Sequence, residues 1–254
     1  MIIDTHCHLY LPEFADDIRE VINRADKEGV TKFYLPSIDS AFTNSMLQLR
    51  DKYPDKCFPM MGLHPCSVKE NYLQELELVQ DWLSKTKFAA IGEIGLDFYW
   101  DRTFEQQQTA AYNQQIEWAL QYDLPIVIHS RDATTECIRI VGQHQKGSLK
   151  GIFHCFGGDY ESAMQIIDLG FYLGIGGVLT YKNVGLAAVL ERISLEHMVL
   201  ETDAPYLTPV PFRGKRNESS YLKYIVEKLA LVKGVTPLEV STITTSNAEK
   251  IFGS

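Results

Sequence analysis

The feature that most constrains the fold is a regular alternation of short apolar, β-branched segments with longer helix-like segments. Strand character is found at residues 1–6, 32–38, 58–63, 88–94, 125–129, 151–155, 171–175 and 198–202. Helical periodicity is found at residues 13–28, 41–52, 68–84, 104–122, 134–145, 161–168, 184–192, 219–232 and 237–251. Strands that alternate with helices are typical of α/β proteins with parallel sheets.

The number of strands separates two α/β architectures. Eight strand-like segments, each followed by a helix-like one, in a chain of 254 residues match a single (β/α)8 TIM-type barrel, which takes about 250 residues. A doubly wound open sheet is the alternative, but no GxGxxG motif follows the first strand. No internal repeat or linker rich in Pro, Gly or Ser divides the chain, so residues 1–254 are predicted to form one domain.

Histidine and acidic residues are concentrated at the ends of the predicted strands. The positions at or just past a strand end are His6, His8, His64, Glu93, His129, His154 and Asp203. The carboxyl ends of barrel strands meet at one face, where catalytic groups collect. Five of the seven histidines lie there, which favours one functional site over scattered core histidines.

Metal binding is the chemistry that these residue types favour. His6 and His8 are two residues apart, so on a strand both rings point to the same side. Glu93 lies in an apolar, glycine-flanked segment, where an unpaired carboxylate is costly and a cation partner is expected. His129 and His154 each end an apolar segment; either alone would more often be a core histidine, but together with the N-terminal pair they are predicted ligands.

Three further side chains are assigned roles around these ligands. Asp203 is predicted to be a ligand and the general base. Glu201 either supports Asp203 from the same side or pairs with an arginine such as Arg131. His64, in the motif GLHP, is predicted to hydrogen-bond a substrate phosphate or hold a water without contacting metal; the alternative is a loop histidine braced by Pro65.

The ligand set is larger than one metal ion requires. Six nitrogen and oxygen ligands exceed the four of a tetrahedral zinc site. Divided between two ions with a shared carboxylate, they fit a binuclear centre with the metals about 3.5–4 Å apart. Imidazole and carboxylate groups accept Zn, Mn, Mg or Ni, so we expect two divalent cations of undetermined identity.

The charge of the chain limits how it contacts a polyanion. A net charge of −9 excludes binding by bulk electrostatics, so any nucleic-acid contact must be local or metal-assisted. The densest basic segment, residues 209–217, follows the last strand, and its Arg213, Lys215 and Arg216 are predicted to contact substrate phosphates. A solvated loop is the alternative. The aromatic residues 98–100 are candidates for base stacking, although packing is expected for at least two of them.

The sequence also bears on location. Five cysteines, an odd number with no CxxC spacing, do not indicate a disulfide framework. The N-terminus lacks the cationic and apolar regions of a signal peptide, and no segment approaches the roughly 18–20 apolar residues of a membrane span. We expect a cytoplasmic protein without membrane association, and nothing in the sequence indicates an obligate protein partner.

In their order along the chain, eight motifs resemble the TatD family of metal-dependent hydrolases within the amidohydrolase superfamily. They are IIDTHCHL, GLHP, IGEIGLD, PIVIHSRDA, GIFHCFGG, LGIGGVLTYKN, LETDAPYL and FRGKRNE. The resemblance implies a TIM-like barrel, a divalent metal site and activity as a hydrolase or deoxyribonuclease.

The resemblance also implies a division of the ligands. His6, His8 and Asp203 would hold one metal, His129 and His154 the second, and Glu93 would bridge them in place of the modified lysine of other superfamily members. This chain departs from the family pattern in having a tyrosine directly after the HxH-L segment, where an acidic or amide residue is frequent. We expect that change to lie at the substrate-facing rim.

The resulting hypothesis is a deoxyribonuclease of the 3′–5′ exonuclease type, in which a metal-bound hydroxide cleaves phosphodiesters of DNA. The predicted catalytic residues are Asp203, Glu93 and His64. A hydrolase of carbonyl esters or amides, such as a lactone or an aminoacyl ester, is the enzymatic alternative, because the same centre attacks carbonyls. A non-catalytic metal-binding scaffold that recruits a partner protein is the third reading, disfavoured by the complete ligand set.

Overall fold

A computed structural model describes residues 1–182 and 185–253, in which eight strands alternate with nine α-helices. The strands are β1 (Ile2–Asp4), β2 (Val30–Leu35), β3 (Cys57–Pro59), β4 (Ile91–Asp97), β5 (Ile126–Arg131), β6 (Gly151–Phe153), β7 (Tyr172–Ile175) and β8 (Met198–Leu200). The helices are α1 (Ile18–Lys27), α2 (Ser40–Lys52), α3 (Tyr72–Lys85), α4 (Glu105–Tyr122), α5 (Thr134–His144), α6 (Tyr160–Asp168), α7 (Leu186–Glu191), α8 (Leu222–Lys233) and α9 (Pro237–Phe252).

The strands form two parallel sheets, in the orders β1–β2–β3 and β4–β5–β6–β7–β8. Backbone contacts connect the two sheets at both junctions. Met61, just after β3, forms a parallel bridge with Ile91 of β4, and the N–H of Thr5, just after β1, donates to the carbonyl of Leu200 at 3.0 Å. The predicted α/β class with parallel strands is confirmed.

Helix α9 covers the amino ends of the strands. The Thr245 hydroxyl donates to the carbonyl of Met1, and the Asn247 amide donates to the carbonyls of Leu195 and Met198. Ala248 and Ile251 of this helix pack in one cluster with buried side chains on or next to the strands: Ile3, Tyr34, Met60, Ala90, Val127, Ile152 and Val199. With α9 at the amino ends, the carboxyl ends are left for the polar side chains.

Several element boundaries differ from the prediction. Strands β1 and β6 end before His6 and His154, so these rings lie just past the strands rather than within them. Helix α1 begins five residues later than predicted, because a 3-10 turn at Pro12–Phe14 buries Phe14 first. Helix α3 also begins later, since Val68 has an extended backbone. The first residue predicted for α7, Val184, lies outside the described residues.

Two expectations about covalent and membrane features were made from the sequence. The five cysteines are free thiols in the structure, as the absence of paired spacing predicts. None of the helices within the described residues combines the length and the apolar character needed to cross a lipid bilayer.

The close approach of β5 and β6 depends on a glycine. A Cβ atom added at Gly151 would lie 1.9 Å from the carbonyl oxygen of Ile126, whereas one added at Gly142 of α5 would meet only a Leu169 methyl at 3.8 Å. We therefore expect Gly151→Ala to lower the free energy of unfolding by about 1–3 kcal/mol or more. Gly142→Ala is the matched control and should raise it by about 0.5–1 kcal/mol.

Urea denaturation followed by far-ultraviolet circular dichroism measures both changes. Equal stabilities for the two variants would show that the strand spacing adapts and would contradict the steric argument.

Candidate metal centre

Glu93 is a buried carboxylate surrounded by imidazole rings, with 2% of the residue exposed. Its Oε2 lies 3.1 Å from His6 Nε2 and 3.6 Å from His8 Nε2. Its Oε1 lies 2.8 Å from His129 Nδ1 and 3.1 Å from His154 Nε2. Each carboxylate oxygen thus faces a different pair of predicted ligands.

A bulge in β4 gives Glu93 its orientation. Gly92 pairs with Val127 and Ile94 pairs with Ile128, so Glu93 is the extra residue between two consecutive pairs of the ladder. Its N–H donates instead to the carbonyl of Ser37, at 3.2 Å. An extra residue of this kind turns a side chain away from the regular alternation, and here the side chain that turns is the central carboxylate.

Asp203 adds a second carboxylate next to the N-terminal pair of histidines. Its Oδ1 lies 3.4 Å from His8 Nε2 and 3.6 Å from His6 Nε2. One ligand atom from each of these three residues falls within 4.8 Å of the other two, and the same holds for the group His6, Glu93 and His154. The two groups share His6 and lie side by side.

A buried hydrogen-bond network fixes the two chain segments that carry these ligands. The Asp4 carboxylate accepts hydrogen bonds from the N–H and hydroxyl of Thr202 and from the hydroxyl of Ser219. Burial raises the pKa of Asp4 to about 6, although these hydrogen bonds act in the opposite direction. Asp4 ends β1 and Thr202 precedes Asp203. The network therefore holds the segment that follows β1 at a fixed distance from the segment that carries Asp203.

Both central carboxylates are held in the charged form. Burial by itself raises the pKa of Glu93, but the charge of His154 and the other imidazoles around the carboxylate outweigh it and keep the pKa well below its usual value. Burial also opposes ionisation of Asp203, but a hydrogen bond from His8 and then the charge of His154 lower its pKa. Two ionised, buried carboxylates among imidazoles are ligands suited to divalent cations.

His6 is the residue whose surroundings fit a metal ion best. Its side chain is wholly buried, and neither ring nitrogen makes a hydrogen bond with a described residue, although Nε2 is close to Glu93. Burial, and then the charge of His154, lowers the pKa of His6, so the ring is neutral and carries a lone pair. Because a buried nitrogen without a partner is costly, a cation between His6 and the carboxylates suits this site.

Hydrogen bonds on the far side of the rings orient two other histidines. The Tyr10 hydroxyl donates to the carbonyl of Pro36, so it accepts from His8 Nδ1 at 3.0 Å. His154 Nδ1 lies 3.1 Å from Glu201 Oε1. In both rings Nε2 is left facing the carboxylates, which is the arrangement usual for histidines that bind metal ions.

His64 has the opposite orientation. Its Nδ1 accepts a hydrogen bond from the N–H of Cys66 at 3.0 Å, so the proton of the neutral ring lies on Nε2. His64 Nε2 points toward Glu93 Oε1, 3.4 Å away. His64, Glu93 and His129 form a third group whose ligand atoms lie within 4.8 Å of one another. With Nδ1 accepting from Cys66, the neutral His64 ring presents a donor at Nε2, which suits contact with substrate or water.

Residues 3–253 of the chain match the family model described as TatD related DNase. The chain belongs to the TatD-related DNase family. The family resemblance stated from the motifs is confirmed, and family membership supports the predicted reaction class, a metal-dependent hydrolase.

Relatives match this TatD-family chain over its whole length. "Uncharacterized metal-dependent hydrolase YabD" of Bacillus subtilis (strain 168) is 37% identical over 253 residues, which cover 99% of each chain. "3'-5' ssDNA/RNA exonuclease TatD" of Citrobacter rodentium (strain ICC168) is 31% identical over 258 residues, 99% of this chain and 98% of the other. The crystal structure of YjjV, a TatD homologue from Escherichia coli K12, superposes with a TM-score of 0.91 at 27% identity, covering 100% of this chain and 98% of that one.

Asp97 is a functional candidate that the sequence analysis missed. Its Oδ2 lies 2.8 Å from His129 Nε2, while His129 Nδ1 faces Glu93. Burial opposes the charge of Asp97, but the hydrogen bond from His129 is among those that hold its pKa far below the usual value. The signal was present in the motif IGEIGLD, because Asp97, like Glu93, is an acidic residue in an apolar strand, where an unpaired carboxylate is costly.

Two assignments around the ligands were wrong. Glu201 pairs with neither Asp203 nor Arg131; it accepts from His154 and from the N–H of Cys155. The family departure at Tyr10, expected at the substrate-facing rim, is buried against His8. In both cases the side chain orients a ring of this TatD-family site instead.

The basic segment divides into structural and exposed side chains. Arg216 makes two hydrogen bonds to Asp17, at 2.8 and 2.7 Å, and stacks on Phe14, so its predicted contact with substrate is wrong. Arg213 and Lys215 are exposed and form no ion pair with a described residue. The Arg213 guanidinium lies over the ring of Tyr181, 3.9 Å from its centroid.

The contact between Glu201 and His154 yields a test of metal affinity. Replacing Glu201 with Gln removes the charge that holds the His154 Nδ1 proton, and we expect divalent-metal affinity to fall by about 10–100-fold. Competition titration against a fluorescent chelator measures this. The matched control is Glu196→Gln, at an exposed glutamate just before β8, and unchanged affinity in both variants would contradict the role of Glu201.

Proposed function

We propose that this chain is a divalent-metal-dependent hydrolase that cleaves phosphodiester bonds in DNA. The observation that carries this proposal is the division of Glu93, whose two oxygens face two separate pairs of histidines. A carboxylate placed in this way suits a binuclear centre.

As part of the proposal, the two connected parallel sheets are arcs of one closed (β/α)8 barrel, and residues 1–254 form a single domain.

The residues would divide between two cations. His6, His8 and Asp203 would hold one ion. His129 and His154, which both face Oε1 of Glu93, would hold the other, and Glu93 would lie between the two ions. When bound, such ions lower the pKa of a water and offset the negative charge that develops on the phosphoryl oxygens.

Protons occupy part of this site when metal is absent. Burial opposes protonation, but Glu93 and Glu201 raise the pKa of His154 well above its usual value. Burial likewise opposes protonation of His129, and hydrogen bonds to Asp97 and Glu93 raise its pKa. Binding of cations therefore displaces protons from these rings, and metal affinity falls as the solution becomes more acidic.

Asp203 is assigned as the general base. Its side chain is 15% exposed, against 3% for Glu93, so a water can reach it more readily. It accepts the proton of the attacking water, and the hydrogen bond from His8 helps to keep it ionised. Glu93, enclosed on all sides by imidazoles, positions the ligands.

His64 is assigned to the substrate. Its Nε2–H faces Oε1 of Glu93, the oxygen that His129 also faces. The side chain of His64 is 15% exposed. A donor at this point can form a hydrogen bond with a non-bridging oxygen of the phosphate and stabilise its charge.

The choice of DNA as substrate rests on two further observations. The TatD relative from Citrobacter rodentium is named an exonuclease of single-stranded DNA and RNA. Arg213 and Lys215 follow β8 and have no acidic partner among the described residues, so their charges are available to phosphates. We propose the 3′–5′ polarity that this relative's name carries.

The first test measures metal-dependent cleavage. Protein stripped with a chelator should leave end-labelled single-stranded DNA intact, and protein reconstituted with Mn²⁺ or Mg²⁺ should shorten it progressively. Asp203→Asn should reduce turnover by about 100-fold or more, because general-base catalysis contributes that much. Asp168→Asn, at an exposed aspartate of α6, is the control and should keep full activity.

Two outcomes of this assay would contradict the proposal. Near-normal turnover by Asp203→Asn would exclude Asp203 as the base. Intact DNA together with metal-dependent cleavage of a p-nitrophenyl carboxylic ester or a lactone would move the assignment to carbonyl substrates.

The second test concerns Arg213 and Lys215. The double variant Arg213→Ala/Lys215→Ala should raise KM for DNA several-fold and leave kcat unchanged. The slope of log affinity against log salt should become shallower by about 0.7 for each phosphate that the variant no longer neutralises. Turnover of a neutral ester should be unaffected.

A charge-matched control accompanies this variant. Lys146→Ala/Lys150→Ala removes the same charge from the segment before β6, at the opposite ends of the strands. Equal KM values for the two double variants would show that the segment after β8 does not contact DNA.

A further inference from the structure

Two large aromatic side chains stand exposed directly after the strand that carries Glu93. Tyr99 is 53% exposed and Trp100 is 69% exposed, and their rings meet edge to face with centroids 4.8 Å apart. Of the three aromatics in this loop only Phe98 packs against the core. Exposed tyrosine and tryptophan side chains offer large rigid faces for stacking, and no fold requirement explains their exposure here.

The loop is attached to a candidate metal ligand through Asp97. The Oδ1 of Asp97 accepts hydrogen bonds from the N–H groups of Tyr99 and Trp100, at 3.0 and 3.2 Å. Its Oδ2 lies 2.8 Å from His129 Nε2. A single carboxylate therefore separates the aromatic loop from the ring of His129, which places the loop beside the proposed centre.

Arg131 adds a cation to the aromatic pair. It lies two residues after His129 on β5, so both side chains point to the same side of the strand. Its guanidinium lies 3.8 Å from the ring centroid of Tyr99 and 5.1 Å from that of Trp100. Arg131 is exposed and forms no ion pair with a described residue. With one face against Tyr99, the N–H groups on its edge stay free to bind a phosphate.

We propose that Tyr99, Trp100 and Arg131 form a subsite for one unpaired nucleotide of a single-stranded nucleic acid. The base stacks on the exposed aromatic faces, and the Arg131 edge binds the phosphate of the same nucleotide. Base pairing hides the faces of bases within a duplex, so the subsite favours single strands. This proposal rests on the proposed function for its biological meaning, but the subsite is defined by binding alone.

A binding cycle tests the subsite. Fluorescein-labelled oligothymidylate and an abasic oligonucleotide of equal length carry the same phosphates, and only the first has bases. Anisotropy is measured on the full chain in the presence of a chelator, so that no cleavage occurs. Trp100→Ala should weaken binding of oligothymidylate about 5–100-fold, the usual effect of removing one stacking ring, and should leave binding of the abasic strand unchanged.

Arginine variants test the phosphate contact. Arg131→Ala should weaken the binding of both oligonucleotides, and Arg131→Lys should restore only part of it, because lysine lacks the planar fork that stacks on Tyr99. The control is Arg139→Ala, which removes an exposed arginine from α5 and should leave both affinities unchanged. Thermal unfolding of each variant is the control for folding, and the midpoints should match that of the wild-type protein because the positions are exposed.

Each result decides the proposal. A weaker affinity of Trp100→Ala for base-containing strands alone supports the subsite. Equal loss for both oligonucleotides, no loss for either, or no binding by the wild-type protein overturns it. Turnover with Mn²⁺ is measured separately: the expected binding pattern without turnover would keep the subsite and reject the phosphodiesterase, and turnover without the binding pattern would do the reverse.

Discussion

The structure depends on one buried carboxylate and the rings around it. Glu93 contacts five imidazoles, which come from the segments after β1, β3 and β6 and from β5 itself. A charged carboxylate enclosed in this way is stable only if positive groups stay within a few ångströms. The ends of four separate segments must therefore stay aligned, and the bulge in β4, the glycine contacts between strands and the Asp4 network all serve that alignment.

The two ends of the strands have separate roles. At the amino ends, α9 packs on an apolar layer and satisfies backbone carbonyls through Thr245 and Asn247. At the carboxyl ends, short loops carry almost every polar side chain that was singled out from the sequence. Because the amino ends are covered independently, the loops at the other end can differ in sequence without loss of the core, as is usual for folds of this class.

The sequence was sufficient to predict that the candidate ligands lie together, because parallel strands bring their carboxyl ends to one edge. It was insufficient for the side chains that orient those ligands. Tyr10 was assigned to the rim, Glu201 to Asp203 or an arginine, and Asp97 was overlooked, because a hydrogen-bond partner depends on distances between strands that the pattern does not encode. Arg216 was misassigned for the same reason: its partner Asp17 lies almost two hundred residues away in the chain.

Asp97 holds the backbone of the aromatic loop with one oxygen and the ring of His129 with the other. A ligand that orders the loop also restricts Asp97, and through it the ring. If the loop binds a nucleotide and the centre binds a metal ion as proposed, thermodynamic reciprocity requires each binding event to change the affinity for the other by the same factor. The aromatic loop and the proposed metal centre are thus linked through one carboxylate, and occupation of the loop would alter the affinity of the centre.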